Sequence, residues 1–430
     1  MRVWRLKAKP AILLAAVWCG LIGLWGSAAA QESITLEIVT NAWHEAVIAG
    51  IESSAARFTA ANPGIHVEVR RRAGSWEDFM VQVVAGSAPN IVTTSTGIVG
   101  QFALNNIIIP LDELIDRTDL RRTVYGPAWA SLQYNGKTYA VPAIEHGPRY
   151  GQVWNKQMLD EAGLFVDPDE VMTWEEFLAF TDKLTRFDAS GAIIRVGFDP
   201  RNGQNTRLFT VGPLWNTFWI DLATGLPQLN SEEYISGIEL LSQAVYQKYA
   251  PWTGSTEWYA IAAGTVATAN LGIYGPGEIE NRIEGLELIV GWPPHVNRKR
   301  MQQVSGWGFS IPVGAQHVEE SMKLIEFLAT DVAFQMEIYM NVGFMGAGTD
   351  FLTELPRALT DPARLWYVTS MSRADEIFAD VPHPLTSRAT SLFSEARDSV
   401  FMQQTPARQA LDQANATLMN EMREAGLIGD

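Results

Sequence analysis

Residues 58–69 read Phe58-Thr59-Ala60-Ala61-Asn62-Pro63-Gly64-Ile65-His66-Val67-Glu68-Val69, and a helix ends and a strand begins within them. Pro63 cannot continue a helix, and its ring pushes the preceding Asn62 toward an extended backbone. Gly64 permits the turn that follows. From residue 65 onward apolar and polar side chains alternate, which is the period of a half-buried strand. The stretch therefore predicts a helix–turn–strand unit of a layered α/β fold.

The sequence on either side of this unit continues to alternate between strand and helix. Residues 34–40 alternate in polarity like a strand, and the apolar residues within 47–58 recur at intervals that form one helical face. Ser75 and Asp78 predict a capping box for the next helix, and residues 90–94 predict a short third strand. Strand, helix, strand, helix and strand in this order predict a parallel α/β layer.

Two later stretches predict long helices. Apolar residues recur at helical spacing from Met322 to Tyr339, which predicts one continuous helix. Thr405-Pro406 is an N-cap and first-turn pair ahead of a stripe of apolar residues from Leu411 to Met422. Each helix is expected to bury its apolar face.

The length, cysteine content and charge of the chain limit its class. A chain of 430 residues exceeds what one hydrophobic core usually holds, so two lobes are expected. Cys19 is the only cysteine, which excludes a disulfide framework and a Cys-ligated metal site. The formal net charge is -16, and an acidic surface argues against nucleic acid and anionic lipid as partners.

The first thirty residues have the pattern of a signal peptide. Basic residues between positions 2 and 9 precede the apolar run 11–25, and Ala28-Ala29-Ala30 offers a small-residue cleavage site. We expect export with cleavage after Ala30. A retained membrane anchor is the alternative, but the apolar run is short and no stop-transfer pattern follows. Lipidation at Cys19 is disfavoured because Trp18 stands where a lipoprotein signal has a small residue.

Several motifs in order carry a resemblance to a known family. Besides Asn62-Pro63-Gly64 they are Ala85-Gly86-Ser87-Ala88-Pro89-Asn90-Ile91-Val92, Pro110-Leu111-Asp112-Glu113-Leu114, Tyr139-Ala140-Val141-Pro142, Trp154-Asn155-Lys156, Thr173-Trp174-Glu175-Glu176-Phe177 and Ser305-Gly306-Trp307-Gly308-Phe309-Ser310-Ile311-Pro312. In this order the chain resembles family 1 extracellular solute-binding proteins, the ligand-capturing components of bacterial ABC importers. The resemblance spans nearly all of the mature chain and is weakest over residues 186–256.

The resemblance implies an α/β two-lobe periplasmic binding protein fold of type II topology. Each lobe would be a mixed sheet flanked by helices, and the chain would cross the hinge about three times. The expected division is a signal peptide at 1–30, an N-lobe at 31–143 and 294–342, and a C-lobe at 144–293 and 343–430. The protein would be a periplasmic monomer that binds a sugar and contacts permease subunits of the inner membrane. It would need no cofactor or metal.

A sugar ring has apolar faces and a polar rim, so its site needs flat aromatic surfaces and convergent hydrogen-bonding groups. Turns expected to face the cleft and family-like segments supply candidates of both kinds. The predicted ligand-binding residues are Trp43, His44, Ser95, Thr96, Glu145, Arg149, Tyr150, Trp215, Trp219, Asn270, Tyr274, Gly306 and Trp307. Trp76 and Trp174 lie in helical stripes and are expected in the core.

Several of these candidates have a structural alternative. Ser95 and Thr96 follow a strand end, where hydroxyls also cap the next helix. The residues from Glu145 to Tyr150 could instead form a solvated hinge loop with internal ion pairs. This segment also departs from the family, because about two additional residues separate Pro142 from Asn155.

Rival functions remain open at this point. An enzyme is disfavoured, since the chain has no Gly-x-Ser-x-Gly elbow and His44-Glu45 lacks the second histidine of a zinc helix. Within the binding proteins, glycerol phosphate or another small anion or polyol could be the ligand, with Arg149 recognising the anion. A secreted carbohydrate-active enzyme and a sensory adaptor are the remaining alternatives.

Overall fold

The computed structural model describes residues 33–41, 45–201, 205–248, 258–280 and 282–429. The predicted signal peptide, Trp43 and His44 lie outside these residues. In chain order the strands are β1 (Ile34–Thr40), β2 (Ile65–Arg71), β3 (Ile91–Ser95), β4 (Gln133–Tyr134), β5 (Lys137–Thr138), β6 (Val141–Ile144), β7 (Gln152–Asn155), β8 (Arg186–Phe187), β9 (Ile193–Phe198), β10 (Val266–Asn270), β11 (Leu288–Gly291), β12 (Met301–Val304), β13 (Trp307–Ser310) and β14 (Glu376–Ala379).

The α-helices of the described residues alternate with these strands, and a short 3₁₀ helix covers Trp258–Ile261. In chain order they are α1 (Glu45–Ala61), α2 (Trp76–Val84), α3 (Thr96–Leu104), α4 (Asp112–Ile115), α5 (Leu120–Thr123), α6 (Gly126–Ala130), α7 (Lys156–Ala162), α8 (Trp174–Asp182), α9 (Leu208–Leu214), α10 (Glu232–Lys248), α11 (Gly275–Glu280), α12 (Val318–Thr330), α13 (Val332–Val342), α14 (Thr349–Ala358), α15 (Pro362–Arg373), α16 (Thr386–Phe401) and α17 (Ala407–Glu424).

The first five-stranded sheet has the order β2-β1-β3-β13-β6. β1 pairs in parallel with β2 and β3, while β13 runs antiparallel to β3 and β6. α1 ends two residues before Pro63, and β2 begins directly after Gly64. The amide of Ile34 donates to the carbonyl oxygen of Gly64 at 2.8 Å, which ties the turn to the start of β1. The helix–turn–strand unit and the parallel layer predicted from the sequence are confirmed.

The second five-stranded sheet has the order β11-β7-β10-β9-β8 and is also mixed. The chain leaves the first sheet after β6 and enters the second at β7. It leaves the second after β11 and returns to the first at β13. β12 and β14 form a separate parallel pair, with Met301 packed in the core of the second sheet and Val304 in that of the first. β12 therefore passes from one half of the molecule to the other.

Each sheet has hydrophobic cores of its own. α1, α12 and α13 cover one face of the first sheet, and α2 and α3 cover the other. The second sheet packs against α8, α9, α10, α16 and α17 on one face and against α14 and α15 on the other. The predicted apolar stripe of α17, from Leu411 to Met422, is buried in this core. No helix in the described part of the chain is both long and apolar enough to cross a membrane.

The helix predicted from Met322 to Tyr339 is two helices, so that prediction is wrong in its continuity. Asp331 stands between α12 and α13 with an extended backbone, and its Oδ1 accepts a hydrogen bond from the amide of Phe334 at 3.2 Å. The same carboxylate pairs with Arg57 of α1 at 2.7 Å. An N-cap that also binds a neighbouring helix stabilises the break, while the apolar periodicity continues through it.

Candidate functional site

A cavity of about 250 Å³ lies between the two halves of the molecule. This volume is far above the ~10–15 Å³ that one water molecule needs. Its walls contain polar, charged and aromatic side chains from both sheets and from the segments that join them. The lining residues are Ser95, Thr96, Gly97, Glu145, Arg149, Arg207, Phe209, Gln303, Ser305, Gly306, Trp307 and Asp380.

The end of β3 contributes two of the hydroxyls in this cavity. Ser95 occupies the N-cap position of α3, but its side chain makes no capping hydrogen bond. Thr96 is buried, and its Oγ1 lies 3.2 Å from both the amide nitrogen and the carbonyl oxygen of Gly306. The alternative that these two hydroxyls cap the N-terminus of α3 is therefore not supported by the structure. Both side chains face the cavity at the carboxyl end of a parallel strand, where open α/β sheets bind ligands.

Gly306 and Trp307 form the adjoining wall at the start of β13. A Cβ atom on Gly306 would lie 2.7 Å from the carbonyl oxygen of Glu145, so the close approach of the two backbones requires glycine. Trp307 is half-buried and stands opposite Ser95 in the β3–β13 ladder. The indole of Trp76 lies beside that of Trp307, with ring centroids 6.3 Å apart. Trp76 is half-buried rather than enclosed in the core.

Glu145 and Arg149 lie on the segment that joins β6 to β7, and their side chains form an ion pair. The side chains are only 12% and 17% exposed. Glu145 has φ of 59°, a left-handed conformation that is uncommon for a residue other than glycine. Burial is the largest single influence on the pKa of Arg149 and lowers it, but Glu145, Tyr274 and Asp380 together raise it by more, so the guanidinium stays charged. The internal ion pair expected of a hinge loop is present, and it faces the cavity.

Sequence reasoning missed five residues with side chains in the cavity wall. Three of them are polar neighbours: Gln303, Ser305 and Asp380. The side-chain amide of Gln303 donates to the Asp380 carboxylate, and the backbone carbonyl oxygen of Gln303 accepts from the backbone amide of Arg149 at 3.2 Å. Burial raises the pKa of Asp380 to about 6, although the positive charges of Arg149 and Arg207 act in the opposite direction.

Arg207 and Phe209 are the other two missed residues, at the start of α9. They belong to the stretch where the family resemblance is weakest, so no motif marked them. Asp380 follows β14 and likewise lies in no recognisable motif. Of the five missed residues, only Ser305 lies in a family motif, the glycine-rich strand motif, where it directly precedes Gly306. Its hydroxyl was therefore the only signal for any of these side chains that the sequence offered.

Three predicted residues lie next to the cavity or behind its wall. The hydroxyl of the fully buried Tyr150 donates to the carbonyl oxygen of Phe209. The Oδ1 of Asn270 accepts from the amide of Gly151 at 3.2 Å, so this side chain holds the backbone just before β7. The ring of Tyr274 lies 5.8 Å from the guanidinium carbon of Arg149, in cation–π geometry. The structure does not bring these side chains into the cavity wall.

The expectation that Trp215 and Trp219 face the cleft is wrong. Trp215 stacks on Trp174 with ring centroids 4.1 Å apart and is 5% exposed, so it belongs to the core of the second sheet. Trp219 is 2% exposed and borders a void of about 10 Å³, which has room for about one water. The Trp215 ring is covered by Trp174 of α8 and lies close to Gly237 of α10, while the Trp219 ring packs edge-on against His383.

The charges in the cavity balance. Glu145 and Asp380 are acidic and Arg149 and Arg207 are basic, and each side chain can hydrogen-bond to a polar ligand. Within the described residues no three His, Cys, Asp or Glu side chains are grouped as a metal site would require. The arrangement suits reversible binding of a small molecule with both apolar and hydrogen-bonding surface.

The family model for bacterial extracellular solute-binding proteins matches residues 53–350. The chain belongs to this family. Members of the family are binding proteins, and its description places them outside the cytoplasm. The cavity between the two sheets is accordingly the candidate solute site of an extracellular solute-binding protein.

Individual relatives are distant in sequence. The maltotriose-binding protein of Pyrococcus abyssi is 18% identical over 325 residues, and the match covers 72% of this chain but only 66% of that relative, just under two thirds of its length. CpMnBP1 with mannotriose bound has a TM-score of 0.77 at 19% identity, covering 89% of this chain and 99% of the other. A Listeria monocytogenes ABC substrate-binding protein in complex with cycloalternan has a TM-score of 0.75 at 17% identity, covering 91% and 99%. The predicted two-lobe fold of this solute-binding protein is confirmed by these likenesses.

Proposed function

We propose that this protein is the periplasmic substrate-binding component of an ABC importer and that it captures a sugar or oligosaccharide between its lobes. The observation that carries the proposal is the composition of the cavity. The Trp307 indole and the Phe209 ring supply apolar surface, while hydroxyl, amide and charged side chains from both halves supply hydrogen bonds. A sugar needs both kinds of group at once. The ligands of the similar proteins, maltotriose, mannotriose and cycloalternan, are carbohydrates and support the same class.

Closure of the two lobes around the ligand is the proposed mechanism. Ligand contacts from both lobes favour the closed state, because a ligand shifts a conformational equilibrium only through differential affinity. The closed, loaded protein then presents its sugar to the permease subunits, which are its proposed partners. The protein releases the ligand chemically unchanged and acts as a monomer without a cofactor.

The proposed lobes follow the boundaries expected from the sequence. The N-lobe comprises 31–143 and 294–342, and the C-lobe comprises 144–293 and 343–430. The strands of the two sheets support these ranges, apart from Ile144, which is the last residue of β6. Residues 1–30 are proposed to direct export and to be removed.

The alternative of a small anion recognised by Arg149 loses its support in this arrangement. The Arg149 guanidinium is already ion-paired with Glu145, so an incoming phosphate would compete with a carboxylate of the same chain. The second arginine of the cavity, Arg207, shares it with the carboxylates of Glu145 and Asp380, which would repel an anion.

Thermal melting of the mature protein against sugars, sugar phosphates, polyols and polyamines tests the proposal. A ligand at 100 times its Kd stabilises the protein by about 2.7 kcal/mol, which raises Tm by several degrees. We expect a sugar or oligosaccharide to produce this shift. A shift with polyamines alone would contradict carbohydrate binding, and a ligand recovered chemically altered would contradict a pure binding role.

A further inference from the structure

The four charged side chains of the cavity form two pairs of opposite charge, and the two pairs differ in their contacts. Glu145 and Arg149 bind each other directly. Arg207 and Asp380 make no ion pair within the described part of the chain, yet both line the cavity and each acts electrostatically on the other. The Nε of Arg207 donates to Thr210 at 3.4 Å, and within the described residues the terminal nitrogens of the guanidinium make no hydrogen bond.

Asp380 is held in place by neutral donors. The side-chain amide of Gln303 donates a hydrogen bond to its carboxylate, and the nearby hydroxyl of Ser305 lowers the pKa of that carboxyl. Gln303 is 1% exposed and Ser305 is 5% exposed, so both donors are fixed by the wall around them. A carboxylate accepts several hydrogen bonds, and Asp380 lines the cavity, so a ligand there can also donate to it.

Arginine can only donate hydrogen bonds, an ionised carboxylate can only accept them, and a hydroxyl does both. We propose that Arg207 and Asp380 together select an uncharged sugar, with Arg207 donating to one hydroxyl and Asp380 accepting from another. This inference rests on the proposed function of the cavity and names the substrate class of that same site.

Charged ligands fit the pair less well. The carboxylate of a sugar acid could pair with Arg207, but it would then face Asp380 and Glu145 in the same cavity. The ammonium of an amino sugar would face Arg149 and Arg207. Like charges this close in a partly desolvated cavity repel strongly, whereas hydroxyls form charge-assisted hydrogen bonds with both signs. A sugar with neighbouring hydroxyls leaves the charge of the cavity balanced.

Isothermal titration of the mature protein with charge-matched sugars tests the inference. The probes are glucose, galactose and mannose with their uronic acids and amino sugars, and maltotriose and mannotriose beside trigalacturonate. We expect a neutral sugar to bind at least about 100-fold more tightly than its charged counterparts. Preferred binding of a uronic acid or amino sugar overturns the inference and leaves carbohydrate binding intact. If no carbohydrate of any charge binds, the proposed function itself fails.

Variants of the pair separate recognition from folding. Arg207→Gln and Asp380→Asn are expected to weaken binding of the preferred neutral sugar about 10- to 100-fold, the effect of losing a charged hydrogen bond. Asp375→Asn is the matched control, because Asp375 lies in the same segment but pairs with Arg300 on the surface. Unchanged affinity in both cavity variants overturns the inference. Circular dichroism establishes that each variant is folded.

A pH profile provides a readout that a purely structural role would not change. The charged and titratable groups that act on Asp380 or share its cavity are Arg149, Arg207, Glu145, Tyr150 and Tyr234. Because an ionised carboxylate accepts a stronger hydrogen bond from a hydroxyl than a protonated carboxyl group does, affinity for a neutral sugar should fall as the pH decreases from about 8 to about 5. Asp380→Asn should show a flatter profile. A wild-type profile without this decrease contradicts the role of Asp380.

Discussion

The Oγ1 atom of Thr96 lies 3.2 Å from both the amide nitrogen and the carbonyl oxygen of Gly306. The amide of Thr96 also donates to that carbonyl oxygen at 3.0 Å. Thr96, at the start of α3, therefore provides hydrogen-bond partners for both the amide and the carbonyl oxygen of Gly306, the residue before β13. Because Trp307 follows Gly306 directly, these bonds position the indole in the cavity wall.

Thr96→Val should disrupt this arrangement without changing the shape of the side chain. The buried amide of Gly306 loses its acceptor, so we expect unfolding to become easier by about 1–3 kcal/mol and sugar affinity to decrease. Chemical denaturation and titration calorimetry measure the two effects. Thr96→Ser retains the hydroxyl and is the control. Equal destabilisation by the serine variant would show that the methyl group, and not the hydrogen bonds, is responsible.

Gly306→Ala tests the close approach of the two backbones. The added Cβ would lie 2.7 Å from the carbonyl oxygen of Glu145, so either β13 or the 145–149 segment must move. Overpacking of this kind costs about 1–3 kcal/mol, and the displaced ion pair should also weaken ligand binding. Gly126→Ala is the matched control, because a Cβ added at Gly126 would have no atom within 4 Å. A Gly306→Ala variant as stable as Gly126→Ala would contradict the predicted clash.

Trp307→Ala should act mainly on the ligand. The indole is half-buried in the cavity wall, so we expect its removal to reduce sugar affinity by about 10- to 100-fold, or 1.4–2.8 kcal/mol. Trp307→Phe keeps an aromatic face and should lose less. Titration of both variants with the sugar that stabilises the wild-type protein makes the comparison. Wild-type affinity in the alanine variant would exclude stacking on this indole.

Trp215→Ala should have the opposite pattern. Its indole stacks on Trp174 in the core, so truncation should lower the free energy of unfolding by about 3–5 kcal/mol. Sugar affinity of the folded fraction should remain close to wild type, since the side chain does not line the cavity. Denaturation curves and titration at low temperature test this. A large loss of affinity with little loss of stability would restore Trp215 as a ligand contact.

Asp380→Asn should stabilise the ligand-free protein at neutral pH. The pKa of this carboxyl is about 6 when folded, above its ordinary value of 3.8, so the folded state binds the proton more tightly than the unfolded state. The contribution to stability is fully present below about pH 4 and is lost as the pH rises through about 6. At pH 8 the ionised group therefore costs at most about 3 kcal/mol, which the amide avoids.

Denaturation of the Asp380→Asn variant across this pH range measures the gain, which should vanish toward about pH 4. Asp375→Asn again serves as the control. The pKa of Asp375 is lowered by its hydrogen bonds to Arg300, so this variant should not gain stability at neutral pH. A gain of the same size in both variants would indicate a general charge effect of this acidic protein.

Features that depend on near neighbours in the sequence were predictable. Pro63 and Gly64 determine the turn between α1 and β2. Ser75 forms the predicted capping box because its partner is three residues away, and Thr173 forms one at the same spacing. The cavity residues found in advance, such as Ser95 and Trp307, lie at strand ends or in family motifs. In these places local backbone chemistry restricts the position of the side chain.

Periodicity, turn residues and motif order were enough to predict the alternation of strands and helices, the two-lobe α/β class and the family. Which side chains meet in the cavity depends on how distant segments pack. Arg207 and Asp380 are far apart in the chain and lie in no motif, and they share a cavity because α9 and the end of β14 pack at the same place. Trp215 looks like a cleft aromatic in sequence, but its burial depends on Trp174. Contacts between distant segments leave no local periodicity in the sequence, so the ligand site emerges only when the lobes are folded together.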